Sequence, residues 1–401
     1  MPDWPGHRVA ACTVTAELYF DHAASAPRRD EVAEAMEPWQ HGVVGNPSGS
    51  HRAARRARRA IEDARDEVAS FVGADPGGVI FTAGGTESCH LAVVGVASHH
   101  RRHHESTTIV VSRIEHHAIL DAAEMMARDF ATVRVRYVEV DGDGVVDLDS
   151  LRDALEPDTA VVSVMAANNE TGVRQPLDGV SSVTNAHIPG GTVLHTDAVA
   201  AAPWLHLPMV TATMDMISIC AHKIGGPVNS GALILRNSVD VDAVMPGGGQ
   251  ERGRRGGTVD VAAAVGLAAA VRATARELTE VNDRVVDYQN KLISALCFLP
   301  GAAVTALGAN RVPGTVHVTF EGLASDELLF LLDQEGVCAS AAASCSSGAA
   351  ESSHVLAAMG VSPERARGSL RISMGGETTE AEVDALIGIL STVVYRLRAE
   401  A

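Results

Sequence analysis

The sequence has no long apolar run, no closely paired cysteines and no excess of positive charge, and each absence removes a class of protein. Its most apolar stretch, Val259 to Val271, is interrupted by Asp260 and falls short of the roughly 20 residues a membrane-spanning helix needs. It reads as a buried, Ala-rich helix. The first sixteen residues, MPDWPGHRVAACTVTA, carry an early Asp and no apolar run of signal-peptide length, so a cytoplasmic location is expected. The six cysteines, Cys12, Cys89, Cys220, Cys297, Cys338 and Cys345, include no C-x-x-C pair. That argues against a disulfide framework and against a zinc site, and no metal is expected. Most of the six read as small, buried, reduced hydrophobes. A formal charge of -18 argues against a broad nucleic-acid surface. Basic residues do cluster from Arg52 to Arg65, but acidic residues follow directly at helical spacing, so the segment reads as a solvated helix face. No internal repeat is visible. With 401 residues, 46% of them hydrophobic and 20% charged, the chain has the composition of a soluble globular protein of two or more domains.

Short β-branched runs alternate with Ala-rich helical stretches. VIFTAG (79–84), TIVVSRIEH (108–116), AVVSVMAANNE (160–170), TVLHTDA (192–198) and MISICAHK (216–223) read as strands ending in polar or Gly-rich turns. Ala53 to Val72 and Ala118 to Arg128 read as amphipathic helices between them. Strand, helix, strand repetition predicts a mostly parallel sheet covered on both faces, with ligands at the carboxyl ends of the strands. Every polar cluster just quoted falls at such an end. Beyond about Thr258 a long helical region (259–297) leads into VPGTVHVTF (312–320), ELLFLLDQEG (327–336), a Ser/Ala-rich stretch (339–350), SLRISMG (369–375) and a final helix. This predicts a smaller α+β unit, completed by the N-terminal segment. The Ser/Ala-rich stretch reads as a mobile loop.

AHKIGGP (221–227) places Lys223 directly after a strand and before a Gly-Gly-Pro turn. An amine nucleophile needs a setting in which a phosphate and an aromatic ring can be held around it. In isolation Lys223 would be an ordinary turn lysine. TAGGTES (82–88) follows a strand and opens a helix, so its glycines and Thr86 suit a phosphate at a helix N-terminus. HTDA (195–198) puts Asp197 at a strand end, where a buried carboxylate needs a cationic partner such as a pyridinium nitrogen; a helix-capping Asp would look the same. SRIEHH (112–117) puts His116 at another strand end, placed to stack on a ring and move protons. His117 is expected to face elsewhere.

Together these pieces resemble the cysteine desulfurases of the iron–sulfur-cluster and nitrogen-fixation type, in the class V aminotransferase group of fold-type I pyridoxal-phosphate (PLP) enzymes. The motifs YFDHAA, GNPSGSH, FTAGGTES, EHHAIL, NNETG, HTDA, AHKIGGP, GGGQERGRRGGT, ASCSSG, SHVLAAMG and SLRIS occur in the family's order along nearly the whole chain. The resemblance implies a fold-type I α/β transferase, with a mostly parallel seven-stranded sheet in a large PLP-binding domain (29–272). Residues 1–28 and 273–401 would form the small α+β domain carrying the Cys loop. It also implies roles. Lys223 would anchor PLP through its amine, Asp197 would pair with the pyridine nitrogen, and His116 would stack on the ring as acid/base. Gly85, Thr86, Cys220 and His222 would surround the phosphate. Thr258 would reach the phosphate of a neighbouring subunit, implying a homodimer. Asn169 would bind near the cofactor and the substrate, and Arg371 would clamp the substrate carboxylate. Cys345 would take the sulfur of L-cysteine as a persulfide and pass it to an acceptor protein.

Two positions depart from the family pattern. Ala200 stands where a Gln usually meets the cofactor's phenolic oxygen, and Cys220 stands where a Ser usually helps hold the phosphate. Losing one hydrogen bond to a charged group costs about 1.5–3 kcal/mol. Alternatives to a cysteine desulfurase are a selenocysteine lyase, another class V PLP enzyme, or a catalytically impaired partner-binding paralogue. Cys345 separates the first two from a desulfurase, since β-elimination from selenocysteine does not require a protein thiol.

Overall fold

A computed structural model describes residues 17–236, 239–341 and 353–400. The described residues open with a short strand β1 (Leu18–Tyr19) and helices α1 (Asp30–Gln40) and α2 (Arg52–Val72). Alternation follows: β2 (Val79–Thr82), α3 (Gly85–His100), β3 (Thr107–Ser112), α4 (His117–Asp129), β4 (Val133–Val138), α5 (Leu148–Ala154) and β5 (Thr159–Ser163). It continues through α6 (Leu177–His187), β6 (Val193–Asp197), the one-turn α7 (Leu207–Val210), β7 (Met216–Cys220) and β8 (Gly231–Leu235).

β2 to β8 form one seven-stranded sheet in the order β2-β8-β7-β6-β5-β3-β4. Only β8 runs against its neighbours; the other pairs are parallel. Helices cover both faces, so β2, β3, β5, β7 and β8 are buried at every position, as a doubly covered sheet requires. Along β3, Ile109 and Val111 pack with Leu91, Ile119 and Met126 of α3 and α4. The alternate residue Val110 belongs to the other core, with Ile61 and Val68 of α2. At the free edge, β4 turns Arg134 and Arg136 to solvent, paired with Asp158 and Glu156, and such charges discourage pairing with another chain.

A 36-residue helix, α8 (Val261–Leu296), leaves this sheet. Its first part is buried almost throughout, as the sequence predicts. Its later part buries Val285, Gln289, Leu292 and Leu296, a single stripe at i, i+4, i+7 and i+11. The boundary expected at 272/273 lies inside this helix. Beyond it come β9 (Ala302–Val304), β10 (Thr315–Phe320), α9 (Ser325–Gln334), β11 (Val337–Cys338), the short α10 (His354–Ala358) and α11 (Pro363–Ala366), β12 (Ser369–Ser373) and α12 (Glu380–Glu400). β12, β10 and β9 make an antiparallel sheet, while β1 pairs in parallel with β11. Asp21 bridges to Ser373, so the N-terminal segment joins this second unit.

One expectation needs correction. Arg65 is not part of a solvated face: it is 4% exposed because its position on α2 turns it inward, where both terminal nitrogens donate to Glu251 at 2.9 Å. Four of the six cysteines lie among the described residues. Cys89 and Cys220 are buried, Cys338 is half-buried and Cys297 is exposed just past the end of α8. Among the described residues no helix is long and apolar enough to cross a membrane.

Candidate active site

β2, β3, β5, β6 and β7 run the same way, so their carboxyl ends open on one edge of the sheet. β6 ends on Asp197, which is 7% exposed. Its Oδ1 accepts from the Val199 N–H at 2.9 Å. Burial pushes this carboxyl up, opposed by the Val199 N–H, by the His116 imidazole and by Lys223. His116 caps α4, its Nδ1 accepting from the Ala118 N–H at 3.1 Å, which leaves the exchangeable proton on Nε2. Burial pushes this imidazole down; Asp197 draws it up and Lys223 lowers it further. His117 turns away, half exposed, toward Asp121.

Lys223 follows β7, and its Nζ donates to the carbonyls of Ala23 and Ala24 at 2.5 and 2.8 Å. Lys223, Asp197 and His116 therefore form one electrostatic cluster at the ends of β7, β6 and β3. Composition marks this lysine in a way that motif reading overlooked. The sequence contains two lysines, and the other, Lys291, sits on the outside of α8 between Glu380 and Asp384.

A cleft of about 830 Å³ lies over the N-terminus of α3, lined by Gly84, Gly85, Thr86, His222, Arg254 and Arg255 among others. Gly84 holds φ at 142°, and a Cβ on Gly85 would stand 3.0 Å from Val199 Cγ2. Glycine here keeps the helix terminus open to an anion. His222 is pushed down to about 4 by burial and by Lys223. Cys220 is fully buried behind this turn, its thiol pushed up to about 12 by burial. Arg255 reaches Glu87 of α3 at 2.8 Å. Thr258, on the same loop, is exposed and does not line this cleft.

A second cavity, about 140 Å³, adjoins Lys223 and is lined by His22, Asn169, Ala200, Trp204, Thr274 and Glu277 among others. The Ala200 methyl leaves this space open beside the lysine. Arg371, 3% exposed, donates Nη1 to the Asn169 carbonyl at 3.2 Å and Nη2 to Asp21 Oδ1 at 2.8 Å. Asp21 lies inside the YFDHAA motif, yet nothing in the sequence singled it out. Glu115 was missed too; one of its oxygens accepts from the Met165 N–H, the other has no hydrogen-bond partner among the described residues, and burial holds its carboxyl well above the usual range. Cys345 lies outside the described residues.

These residues fit the pyridoxal phosphate expected from the sequence. The glycine-floored helix terminus suits its phosphate, the buried Asp197 suits its ring nitrogen, and the Lys223 amine belongs to the same electrostatic cluster as Asp197.

The Aminotransferase class-V family model matches residues 18–386. An "IscS-like cysteine desulfurase" of Mycobacterium tuberculosis is 41% identical over 389 residues, covering 96% of this chain and 98% of the relative. A "Cysteine desulfurase IscS" of Methanosarcina thermophila is 36% identical over 381 residues, covering 95% and 93%. Among solved structures, one described as a NifS-like protein superposes with a TM-score of 0.87 at 33% identity, covering 95% of this chain and 99% of that one. DndA from Streptomyces lividans superposes with a TM-score of 0.74 at 33% identity, covering 86% and 96%.

Proposed function

Because the chain belongs to the class-V aminotransferase family, we propose that it is a PLP-dependent cysteine desulfurase, taking sulfur from L-cysteine with Lys223 as cofactor anchor and Cys345 as first acceptor. The observation that carries this reading is the buried cluster of Lys223, Asp197 and His116 at the strand ends. When bound, PLP supplies an electron sink that loosens the Cα–H and Cβ–S bonds of an amino acid. The chain's own residues do the rest. Asp197 holds the positive charge of a protonated ring nitrogen away from water. Gly85, Thr86 and His222 bind the phosphate, with Cys220 backing the turn.

Arg371 and Asn169 orient the substrate carboxylate so that its Cα–H faces the Lys223 amine, which carries that proton. His116 offers Nε2 for a proton at the sulfur side. The Cys345 thiolate attacks the substrate sulfur. The Cβ–S bond breaks, an S–S bond forms, and L-cysteine leaves as L-alanine with the sulfur held as a persulfide. An acceptor protein then collects it. We place the reaction in the cytoplasm, where such a thiol stays reduced. Two copies complete the sites, Thr258 of each reaching the phosphate of the other. Residues 29–272 form the cofactor-holding unit, and 1–28 with 273–401 the smaller unit that brings Cys345.

The test is incubation with L-cysteine and a reductant, with alanine and sulfide measured beside Cys345→Ala. Alanine and sulfide in the parent, lost in the variant, are expected. Undiminished sulfide from Cys345→Ala would overturn the persulfide step.

A further inference from the structure

The basic cluster that opens α2 has no part in the site. Arg52, Arg55, Arg56 and Arg59 stand at i, i+3, i+4 and i+7, which places them on one arc of about 100°. All four are exposed. None pairs with a carboxylate among the described residues, whereas Arg65 on the same helix pairs with Glu62 and Glu251. Like charges at these spacings repel, and cations at a helix N-terminus oppose its dipole. The first turn of α2 contains no acidic residue to offset either effect.

Two of the four, and a neighbouring arginine, are nonetheless held in place. Arg55 donates to the Ser50 carbonyl. Arg56 lies over the Trp39 ring, 5.1 Å from its centre. Arg58, at the margin of the arc, donates to the carbonyls of Pro47 and Gly49 at 2.8 and 2.9 Å. Groups fixed in advance lose less freedom when a partner binds.

We infer that this face docks a protein presenting clustered carboxylates. A guanidinium fork matches a carboxylate in both shape and charge. The arc is about 10 Å long at 1.5 Å per residue, and the same side of the helix then turns acidic with the exposed Asp63 and Asp66. A nucleic-acid strand would run its phosphates onto those carboxylates, on a chain of net charge -18. A compact acidic patch meets the arginines alone. The inference does not depend on the proposed activity.

The test uses the full-length, cofactor-loaded protein with labelled poly-L-glutamate as probe and a single-stranded DNA of equal length beside it, followed by fluorescence anisotropy at low salt and at about 0.3 M. The variant Arg52→Gln/Arg55→Gln/Arg56→Gln/Arg59→Gln should bind poly-L-glutamate at least about tenfold more weakly and with a shallower salt dependence. A control changing Arg113, Arg128, Arg134 and Arg152 to Gln should bind as the parent does. Thermal melting and alanine production from L-cysteine should be unchanged in both. Equal weakening in the two variants would overturn the inference. So would DNA binding more tightly than poly-L-glutamate through the same arginines, or a changed oligomeric mass in the first variant, which would make the face a subunit contact.

Discussion

Arg371 donates to Asp21 across 2.8 Å although the two residues are 350 positions apart. The pair ties β12 to the segment after β1 at the border of the site. With Nη1 on the Asn169 carbonyl, Nε is left buried without a hydrogen-bond partner among the described residues.

That arrangement predicts how the substrate carboxylate is gripped. Arg371→Lys keeps a charge but loses the planar fork. Its KM for L-cysteine should rise about tenfold or more, the size of one lost charge-assisted hydrogen bond of roughly 1.5–3 kcal/mol. Asp21→Asn should raise KM in the same direction, because the guanidinium loses its anchor. Steady-state kinetics check both, and the visible absorbance of bound cofactor should be unaltered in each.

Ala200 predicts a second measurable effect. Its methyl faces the cavity beside Lys223, so Ala200→Gln would bring an amide toward the cofactor's oxygen side. The pH titration of the bound cofactor's visible band should move in the variant. An unmoved titration would show that another group already fills that role.

His195 makes stability depend on pH. It is 1% exposed, bonded to Ser163 Oγ at 2.8 Å and Ser218 Oγ at 2.9 Å, and burial pushes its pKa down to about 3. The unfolded imidazole takes a proton near its ordinary 6.5, so between 6.5 and 3 the unfolded state binds more protons and stability falls with pH. Glu170, raised to about 7 by burial, opposes this, since its contribution is lost as pH rises. Comparison with His195→Gln removes that background. In urea melts the parent should gain about 2 kcal/mol over the variant between pH 5 and pH 8. A pH-independent difference would contradict the assignment.

Glu251 predicts a stability loss without a chemical one. It receives both Arg65 nitrogens at 2.9 Å and the Phe81 N–H at 2.8 Å. Glu251→Gln leaves the buried Arg65 with only the more exposed Glu62 as an anionic partner, at a cost of about 3 kcal/mol. Denaturant melts should show a lower midpoint with an unchanged slope.

The placement of Lys223, Asp197, His116 and the Gly84–Thr86 turn was legible because each lies at or shortly after the end of a strand whose hydrophobic run is plain in the sequence, and a parallel sheet must bring such ends to one edge. It could not reach the Asp21–Arg371 pair, since nothing local to either residue encodes a contact across the whole chain. The reversed direction of β8 was equally hidden: GALIL is buried on both faces whichever way it runs. Arg65 was misread for a different reason. The run of arginines on α2 has one charge signature, but helical spacing puts Arg65 on the apolar stripe with Ile61 and Val68, where Glu251 from a distant loop meets it.

That buried grip on Glu251 bears on how two copies would assemble. Glu251 and Arg252 hold left-handed backbone, with φ of 47° and 56°, a conformation side-chain-bearing residues adopt only when their surroundings impose it. Arg65 and the Phe81 N–H impose it from within the same subunit. A loop shaped by its own core meets a neighbour already in form, so association of two such chains surrenders little conformational freedom at the point where their sites would join.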